Sequence, residues 1–363
     1  MRHTILFIID GLPGGGAERV VITLAGEMAA RGHQVTIASL QACLDYPIPE
    51  GVDYLLVEDR YRGPFRRQTE ILRRARQLDN ALRRHFAGRP INLAVSNLPK
   101  TDRIVAACPY LKQAWLCLHC AIQAGQLAER SGIRHWLKKR QLVRTYSGRK
   151  LITVCRALQR DVLDCGIRPA RMEAIYNPFD LNWIRQRAAA PCPLDGEDFI
   201  LHVGRFNHQK RHDRLLEAFT LSGYAGKLVL LGQGGQAELS ALQAQAERLG
   251  IADRLVIAGF TDNPYSYMRA ARALVLSSDY EGFGNVLVEA LACGTPVAST
   301  DCPEGPAEIL TGDLATGLSQ MDSQALAGAI KRVLQAPALL QPEQLAAFSL
   351  DTSVNRYLAL ANQ

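Results

Sequence analysis

DYEGFGNVLVEALACGTPVAS, residues 279–299, puts one glutamate in a glycine-rich turn and a second on the helix that follows. Glu281 and Glu289 are separated by seven residues, an E-x7-E spacing. Gly282 and Gly284 let backbone amides approach a ligand without a Cβ in the way. VLVEALA reads as a helix whose first N–H groups lack intrahelical partners and point back at the turn. With a rise of 1.5 Å per residue, Glu289 falls roughly 6 Å along a helix starting near Asn285. Both carboxylates and the free amides are therefore expected at one helix N-terminus, beside the apolar strand TPVAS. Such termini bind anions, and carboxylates there call for donors, of which sugar hydroxyls are the natural kind. An ordinary glycine-rich loop with two capping acids would carry the same local pattern, so the choice depends on the rest of the chain.

Bulk properties bound the answer. The chain has 363 residues, 48% hydrophobic and 21% charged, enough for two soluble globular domains. No segment approaches the ~18 uninterrupted apolar residues of a membrane span. MRHTILFIID has too short an apolar run, ending at Asp10, for a signal peptide, and so reads as a buried first strand. Cytoplasmic residence is expected. The nine cysteines are scattered and odd in number, as for reduced thiols. Cys117 and Cys120 form a C-x-x-C with no second pair or flanking histidines to complete a zinc site, so no metal is expected.

Charge is divided unevenly. Residues 1–180 hold 28 Lys+Arg and 16 Asp+Glu, a net of +12; the remainder holds 14 and 19, a net of −5, and together they give +7. The basic half carries its charge in runs, RYRGPFRR (60–67), RRAR (73–76), RR (83–84) and KKRQLVR (138–144), with Tyr61, Phe65, Trp136 and Leu137 interleaved. A basic face studded with aromatics suits anionic lipid headgroups or a nucleic acid; a solvated helix face is the plainer alternative.

In chain order, TILFIID (4–10) is a strand, GLPGGGAER (11–19) a glycine-rich turn, and VVITLAGEMAARG a helix ended by Gly32. QVTIASL (34–40), VDYLLVE (52–58), INLAVSN (91–97), QAWLCLH (113–119) and KLITVC (150–155) are further strands, with an arginine-rich helix at about 65–87. Repeated βα units predict a parallel doubly wound sheet, with sites beyond the strands' carboxyl ends. Around 176–198, Pro178, Pro191 and Pro193 interrupt the pattern and no apolar period is sustained, which reads as a linker. A second series follows: FILHVGRF (199–206), KLVLLGQG (227–234), RLVIAGF (254–260), ALVLSS (273–278) and TPVAST (295–300), with helices between. The expected architecture is α/β: a first Rossmann-like domain at 1–178, a linker at 179–198, a second domain at 199–345 and a final helix at 346–363. A ligand cleft between the two domains is expected.

Three features bear on that site. Arg205 and Lys210, in HVGRFNHQKRHD (202–213), lie at and just past the end of the second half's first strand, where two fixed cations suit a diphosphate. Arg211, and His208 if protonated, add charge to the same run, for which mere surface charge is the plainer alternative. Gly14-Gly15-Gly16 offers exposed amides to the same phosphates or to a second substrate. His119 ends the apolar strand WLCLH. A carboxylate pair can mark a glycosidase, yet that chemistry needs no diphosphate clamp. An NAD enzyme is weaker still, because GLPGGGAER lacks the third glycine of G-x-G-x-x-G and the second strand ends without a ribose-binding acid. No two aspartates are separated by one residue, so the D-x-D metal–nucleotide motif is absent; Arg205, Lys210 and the helix terminus can do a metal's electrostatic work.

GGGAER, VGRFNHQKRHD, EGFGNVLVE and STDCPEGPAEIL together resemble the family-4 retaining glycosyltransferases of the GT-B fold, most closely those building bacterial lipopolysaccharide, capsule or lipid-linked glycans. The resemblance covers nearly the whole chain. It implies two Rossmann-like domains facing across a cleft. It implies that Glu281 contacts donor-sugar hydroxyls and Glu289 the nucleotide ribose, that Arg205 and Lys210 hold the donor diphosphate, and that the backbone of Phe283, Gly284 and Asn285 lines the sugar. It matches His119 to the family's active-site histidine. Gly15 and Gly16 go to the donor, with the acceptor as the open alternative. The implied reaction moves a hexosyl or N-acetylhexosaminyl unit from a nucleotide diphosphate sugar, expected to be UDP-linked, to a lipid-linked or lipopolysaccharide glycan. Configuration is retained, with no cofactor and no metal. The basic half would dock the enzyme peripherally on the anionic inner leaflet, with no nucleic-acid partner, and DTSVNRYLALANQ (351–363) would return to the first domain. A non-catalytic nucleotide- or sugar-binding protein is the main rival.

Overall fold

A computed structural model describes residues 2–362. The chain divides into two compact units, Met1–Pro178 with Leu350–Gln363, and Phe179–Ser349. In the first, β1 (Thr4–Ile9), α1 (Gly16–Ala30), β2 (Gln34–Ser39), β3 (Val52–Leu56), α2 (Arg66–Phe86), β4 (Leu93–Asn97), α3 (Pro99–Ala106), β5 (Trp115–Leu118), α4 (Gly132–Tyr146), β6 (Lys150–Thr153), α5 (Ala157–Asp164) and β7 (Arg171–Ala174) alternate. In the second come α6 (Leu181–Ala188), β8 (Phe199–Val203), α7 (His212–Ser222), β9 (Lys227–Leu231), α8 (Gln236–Arg248), β10 (Leu255–Gly259), α9 (Pro264–Ala270) and β11 (Leu274–Leu276). They are followed by α10 (Asn285–Ala292), β12 (Val297–Thr300), α11 (Pro306–Ile309), β13 (Leu318–Ser319), α12 (Ser323–Gln335) and α13 (Pro342–Ala346). The last helix, α14 (Leu350–Leu360), belongs to the first unit.

Both sheets are parallel and doubly wound. Strand order is β3-β2-β1-β4-β5-β6-β7 in one and β10-β9-β8-β11-β12-β13 in the other. Short apolar strands with no polar face, such as ILFII and LVL, are buried on both sides by helices, as parallel strands require. The order reverses between β1 and β4 and between β8 and β11, and the carboxyl ends of strands at such switch points are where doubly wound sheets hold ligands.

Residues 179–198 hold α6 and group with the second unit. Asp180 caps α6, its Oδ1 accepting from Trp183 N at 2.9 Å, and Ile184 and Ala188 are buried while Trp183 lies edge-on to Tyr265 at 5.5 Å. Eight residues give too few turns for an apolar period to be read. Two edge strands also escape sequence periodicity: β7 is only partly buried and β13 has two residues. α14 is tied to the first unit by Arg31, which pairs with Asp351 (2.7 Å) and donates to Asn355 (2.8 Å), by Ser353 Oγ donating to Tyr176 O, and by Tyr357, buried with its hydroxyl 3.7 Å from Cys117 Sγ.

Asp102 joins three elements of the first unit. Ser96 Oγ donates to it at 2.6 Å and Tyr146 OH at 2.8 Å, linking β4, α3 and α4 around a fully buried carboxyl. Burial pushes its pKa up to about 8. A folded-state value raised above the unfolded one means that the folded chain holds the proton more tightly. The resulting stabilisation is complete below the unfolded value near pH ~4 and is lost as pH rises towards 8. The urea midpoint of the protein should therefore decline from about pH 5 to about pH 8, and Asp102→Asn should flatten that decline; equal slopes in the two proteins would show the carboxyl to be ionised throughout.

Candidate active site

In the second unit the candidate residues sit on the loops after β8 and β11, the two strands at the switch point. The β11–α10 turn needs its glycine: Gly284 adopts φ +89° immediately before α10, a left-handed conformation costly for other residues. Phe283 turns its side chain inward, 2% exposed, against Phe179 and Phe348 with centroids 6.3 and 5.4 Å away. Gly305 presses on the Phe283 carbonyl so closely that a Cβ there would overlap it. The turn is thus anchored by one apolar side chain and one glycine contact.

Glu281 is brought together with Lys210. Lys210 Nζ lies 2.7 Å from Glu281 Oε1, and Ser278 Oγ donates to the same oxygen at 2.6 Å, all three largely out of solvent. Backbone stitching makes this pair: Asn207 Oδ1 accepts from Lys210 N, Ser277 Oγ donates to Lys210 O, Gln209 Nε2 donates to Tyr280 O, and Asp279 N donates to Gln209 O. Arg211 is diverted elsewhere. Its guanidinium grips Asp213 and Asp279, whose carboxylates raise its pKa, and Arg214 holds Asp279 from the other side. Arg205 is exposed and, among the described residues, has no ion-pair or hydrogen-bond partner. Of the run's cations, Lys210 is thus paired with Glu281 while Arg205 stands in solvent, with His208 exposed nearby in sequence.

Glu289 lies within α10, 7% exposed, and accepts from Tyr265 OH at 3.2 Å. Glu281 precedes the helix by four residues and has the different partners just given. The two acids are therefore separately buttressed, not joined in one cap. Asn285 is the first residue of α10.

In the first unit, His119 follows β5, half-buried, with Nε2 2.9 Å from Asn97 Oδ1. Burial pushes its pKa down to about 4, so the ring is neutral near pH 7. Gly15 precedes α1 and Gly16 begins it; the carboxylate of Glu18, buried in the first turn, lies so close to Gly15 that a Cβ there would meet it. A phosphate at those amides would face that carboxylate, whereas a hydroxyl would not be repelled.

The family described as "Glycosyl transferases group 1" matches residues 187–348, and "Glycosyltransferase Family 4" matches residues 14–183. The chain belongs to the family-4 type of GT-B glycosyltransferases. It is 35% identical over 163 residues, 45% of this chain and 44% of the relative, to the N-acetylgalactosamine-N,N'-diacetylbacillosaminyl-diphospho-undecaprenol 4-alpha-N-acetylgalactosaminyltransferase of Campylobacter jejuni. It is 31% identical over 176 residues, 47% of each chain, to the lipopolysaccharide 1,6-galactosyltransferase of Escherichia coli. The matched region spans about half the length of these curated relatives. Among solved structures, the Anabaena protein HepE in complex with UDP and glucose superposes with a TM-score of 0.78 at 19% identity, covering 99% of this chain and 100% of that one. At that identity the likeness shows the GT-B fold alone.

Several residues of this glycosyltransferase's candidate site carry weak sequence signals. Ser278 immediately precedes the glycine-rich stretch and looks like a strand end. Tyr265 lies 24 residues before Glu289 and reads as core, and Asn97 reads as the last residue of a strand. Lys210 and Arg205 differ in what their removal exposes. Lys210→Met should leave Glu281 buried without its cation and cost about 2–4 kcal/mol of stability, while Arg205→Ala should stay within about 0.5 kcal/mol. Thermal or urea unfolding of the two variants checks this, and equal losses would contradict the ion pair.

Proposed function

We propose that this glycosyltransferase moves a hexosyl or N-acetylhexosaminyl unit from a nucleotide diphosphate sugar, UDP-linked, to a hydroxyl of a lipid-linked or lipopolysaccharide glycan, with retention and without a metal. The observation that carries this reading is the buried Lys210–Glu281–Ser278 cluster on the loops after β8 and β11. The relatives named for an undecaprenyl diphosphate glycan and for lipopolysaccharide support the acceptor class, and the UDP and glucose of HepE support the donor class.

The chemistry follows from charge. Cleaving the anomeric C–O bond puts positive charge on the sugar ring and a new negative charge on the departing diphosphate. Arg205 and Lys210 are assigned to the diphosphate, where pre-positioned cations stabilise charge as it develops. Lys210 does this while held by Glu281, so it needs no reorientation from bulk solvent. Glu281, acceptor-only when ionised, takes hydrogen bonds from donor-sugar hydroxyls; the backbone of Phe283, Gly284 and Asn285 lines that sugar, and Glu289 takes the ribose hydroxyls beside Tyr265. His119 serves the sugar side as a neutral ring. The acceptor's attacking hydroxyl passes its proton to the departing diphosphate oxygen as the new glycosidic bond forms on the face the diphosphate leaves. Gly15 and Gly16, next to Glu18, suit hydroxyls better than phosphate. Arg205→Ala and Lys210→Ala should each lower kcat/KM by roughly 2–4 kcal/mol of transition-state stabilisation. Glu281→Ala should abolish transfer while UDP still binds, which a mere binding protein would not register. Activity should survive EDTA. Near wild-type turnover in both cation variants, or loss with EDTA rescued by Mg²⁺, would overturn this reading.

We also propose that the first unit rests on an anionic membrane surface at the inner face of the cell membrane. Among the described residues no helix is long and apolar enough to cross a membrane. Arg60, Arg62, Arg66 and Arg67 are all exposed, with Phe65 71% exposed beside them, and Ile133, Trp136 and Leu137 on α4 are each more than half exposed. Tyr61 contributes less than its sequence suggests, since its hydroxyl donates to Pro64 O and Arg73 covers its ring at 4.5 Å. Each Lys or Arg near an anionic leaflet adds about 1 kcal/mol, fading within a Debye length of ~8 Å at physiological salt. Co-sedimentation with liposomes should rise with anionic lipid and weaken with salt, and an Arg60/Arg62/Arg66/Arg67→Ser variant should lose most of it. Binding indifferent to lipid charge would leave these arginines as a solvated face.

A further inference from the structure

Asn97 is the last residue of β4, beside β1 at the switch point of the first sheet, and is 2% exposed. Its amide nitrogen faces two backbone carbonyls, Ile8 O at 3.4 Å and Val95 O at 3.3 Å. Carbonyl oxygens only accept, so the NH₂ group belongs on that side and the orientation of the amide follows from its surroundings. Oδ1 then faces His119 Nε2 at 2.9 Å. An amide oxygen also only accepts, so Nε2 carries the hydrogen, and a neutral imidazole has a single N–H. The lone pair is left on Nδ1.

The backbone beside Asn97 is strained. Leu98 has φ +76° and ψ 142°, outside the regions open to a branched residue, and it reverses the chain from β4 into α3, whose first residue is Pro99. Strain of this kind persists where the surrounding structure enforces it and gathers at functional sites. Here it falls between the end of β4 at Asn97 and the start of α3 at Pro99.

We propose that Asn97 is a positioning residue, holding His119 as the Nε2–H tautomer so that Nδ1 is the acceptor for a carbohydrate hydroxyl in turnover. The proposal rests on the reading of His119 as a sugar-side group and adds to it a definite hydrogen-bonding role. The ring accepts a proton-bearing hydroxyl and does not pair with phosphate.

The tautomer can be read without any substitution at Asn97. In a long-range ¹H–¹⁵N spectrum of the full chain labelled at histidine, His119, assigned by its loss in His119→Gln, should show a protonated Nε2 and an unprotonated Nδ1 near neutral pH. A proton on Nδ1, or on both nitrogens, overturns the proposal. Asn97→Leu should mix the tautomers and lower kcat for UDP-glucose, UDP-galactose or UDP-N-acetylglucosamine, whichever is turned over, by about 10–100-fold, the scale of losing a residue that orients a reacting group. The Kd for UDP should not change. Asn97→Asp restores the acceptor and should recover most of kcat at high pH. Its carboxylate raises the His119 pKa, so the rate should fall as pH drops and the ring becomes charged. A flat pH profile in Asn97→Asp, or full activity in His119→Gln, overturns the role of this pair. Either result leaves the diphosphate clamp to be judged separately by the Arg205 and Lys210 variants.

Discussion

Every strand in this chain pairs in parallel, and that constraint governs where chemistry can occur. A parallel sheet sends each connection over one face and delivers all strand carboxyl ends to one edge. In the second unit that edge collects the loops after β8 and β11, which neighbour each other only because the winding reverses between them. Lys210 and Glu281 lie 71 residues apart in sequence and meet at 2.7 Å for this reason. In the first unit the same reversal sets β1 beside β4, and Asn97 reaches the backbone of Ile8 across that pairing.

An ion pair this well covered is costly to form. Desolvating Lys210 and Glu281 is repaid only when the remaining valences are met, and Ser278 Oγ meets one of them at 2.6 Å. The neighbouring acid Asp279 could compete for Lys210, but Arg211 and Arg214 engage it on two sides. The many charges of RFNHQKRHDR (205–214) therefore have distinct tasks. Arg211 and Arg214 neutralise Asp279, Lys210 meets Glu281, and Arg205 stays in solvent. Under the proposed function, a diphosphate would meet one cation held by Glu281 and one exposed to solvent.

The sequence made the repeated βα architecture legible because its strands are short apolar runs between glycine and polar turns, a pattern set by burial on both faces. TILFIID and ALVLSS are clear for this reason, whereas RMEA at 171–174 is not, being a half-exposed edge. The helix within 179–198 was not legible because three prolines flank eight residues too short to display a period. At the site, Glu281, Glu289, Arg205 and Lys210 stood out by residue type and spacing. Their partners did not, since nothing local in Ser278, Tyr265 or Asn97 records a contact made across 3, 24 or 22 residues.

Charged residues thus announce themselves in sequence, while the neutral residues that orient them do not. The difference has a physical origin. A charge needs a partner wherever it is buried, so it leaves a constraint on residue type. A neutral orienting group such as Asn97 is specified by geometry alone, through two carbonyls that accept from its nitrogen and a turn that Leu98 holds at positive φ. His119 illustrates the consequence. Its burial keeps the ring neutral, which removes the electrostatic signal by which a catalytic histidine is usually recognised, and leaves the placement of one hydrogen as the property that decides what it can bind.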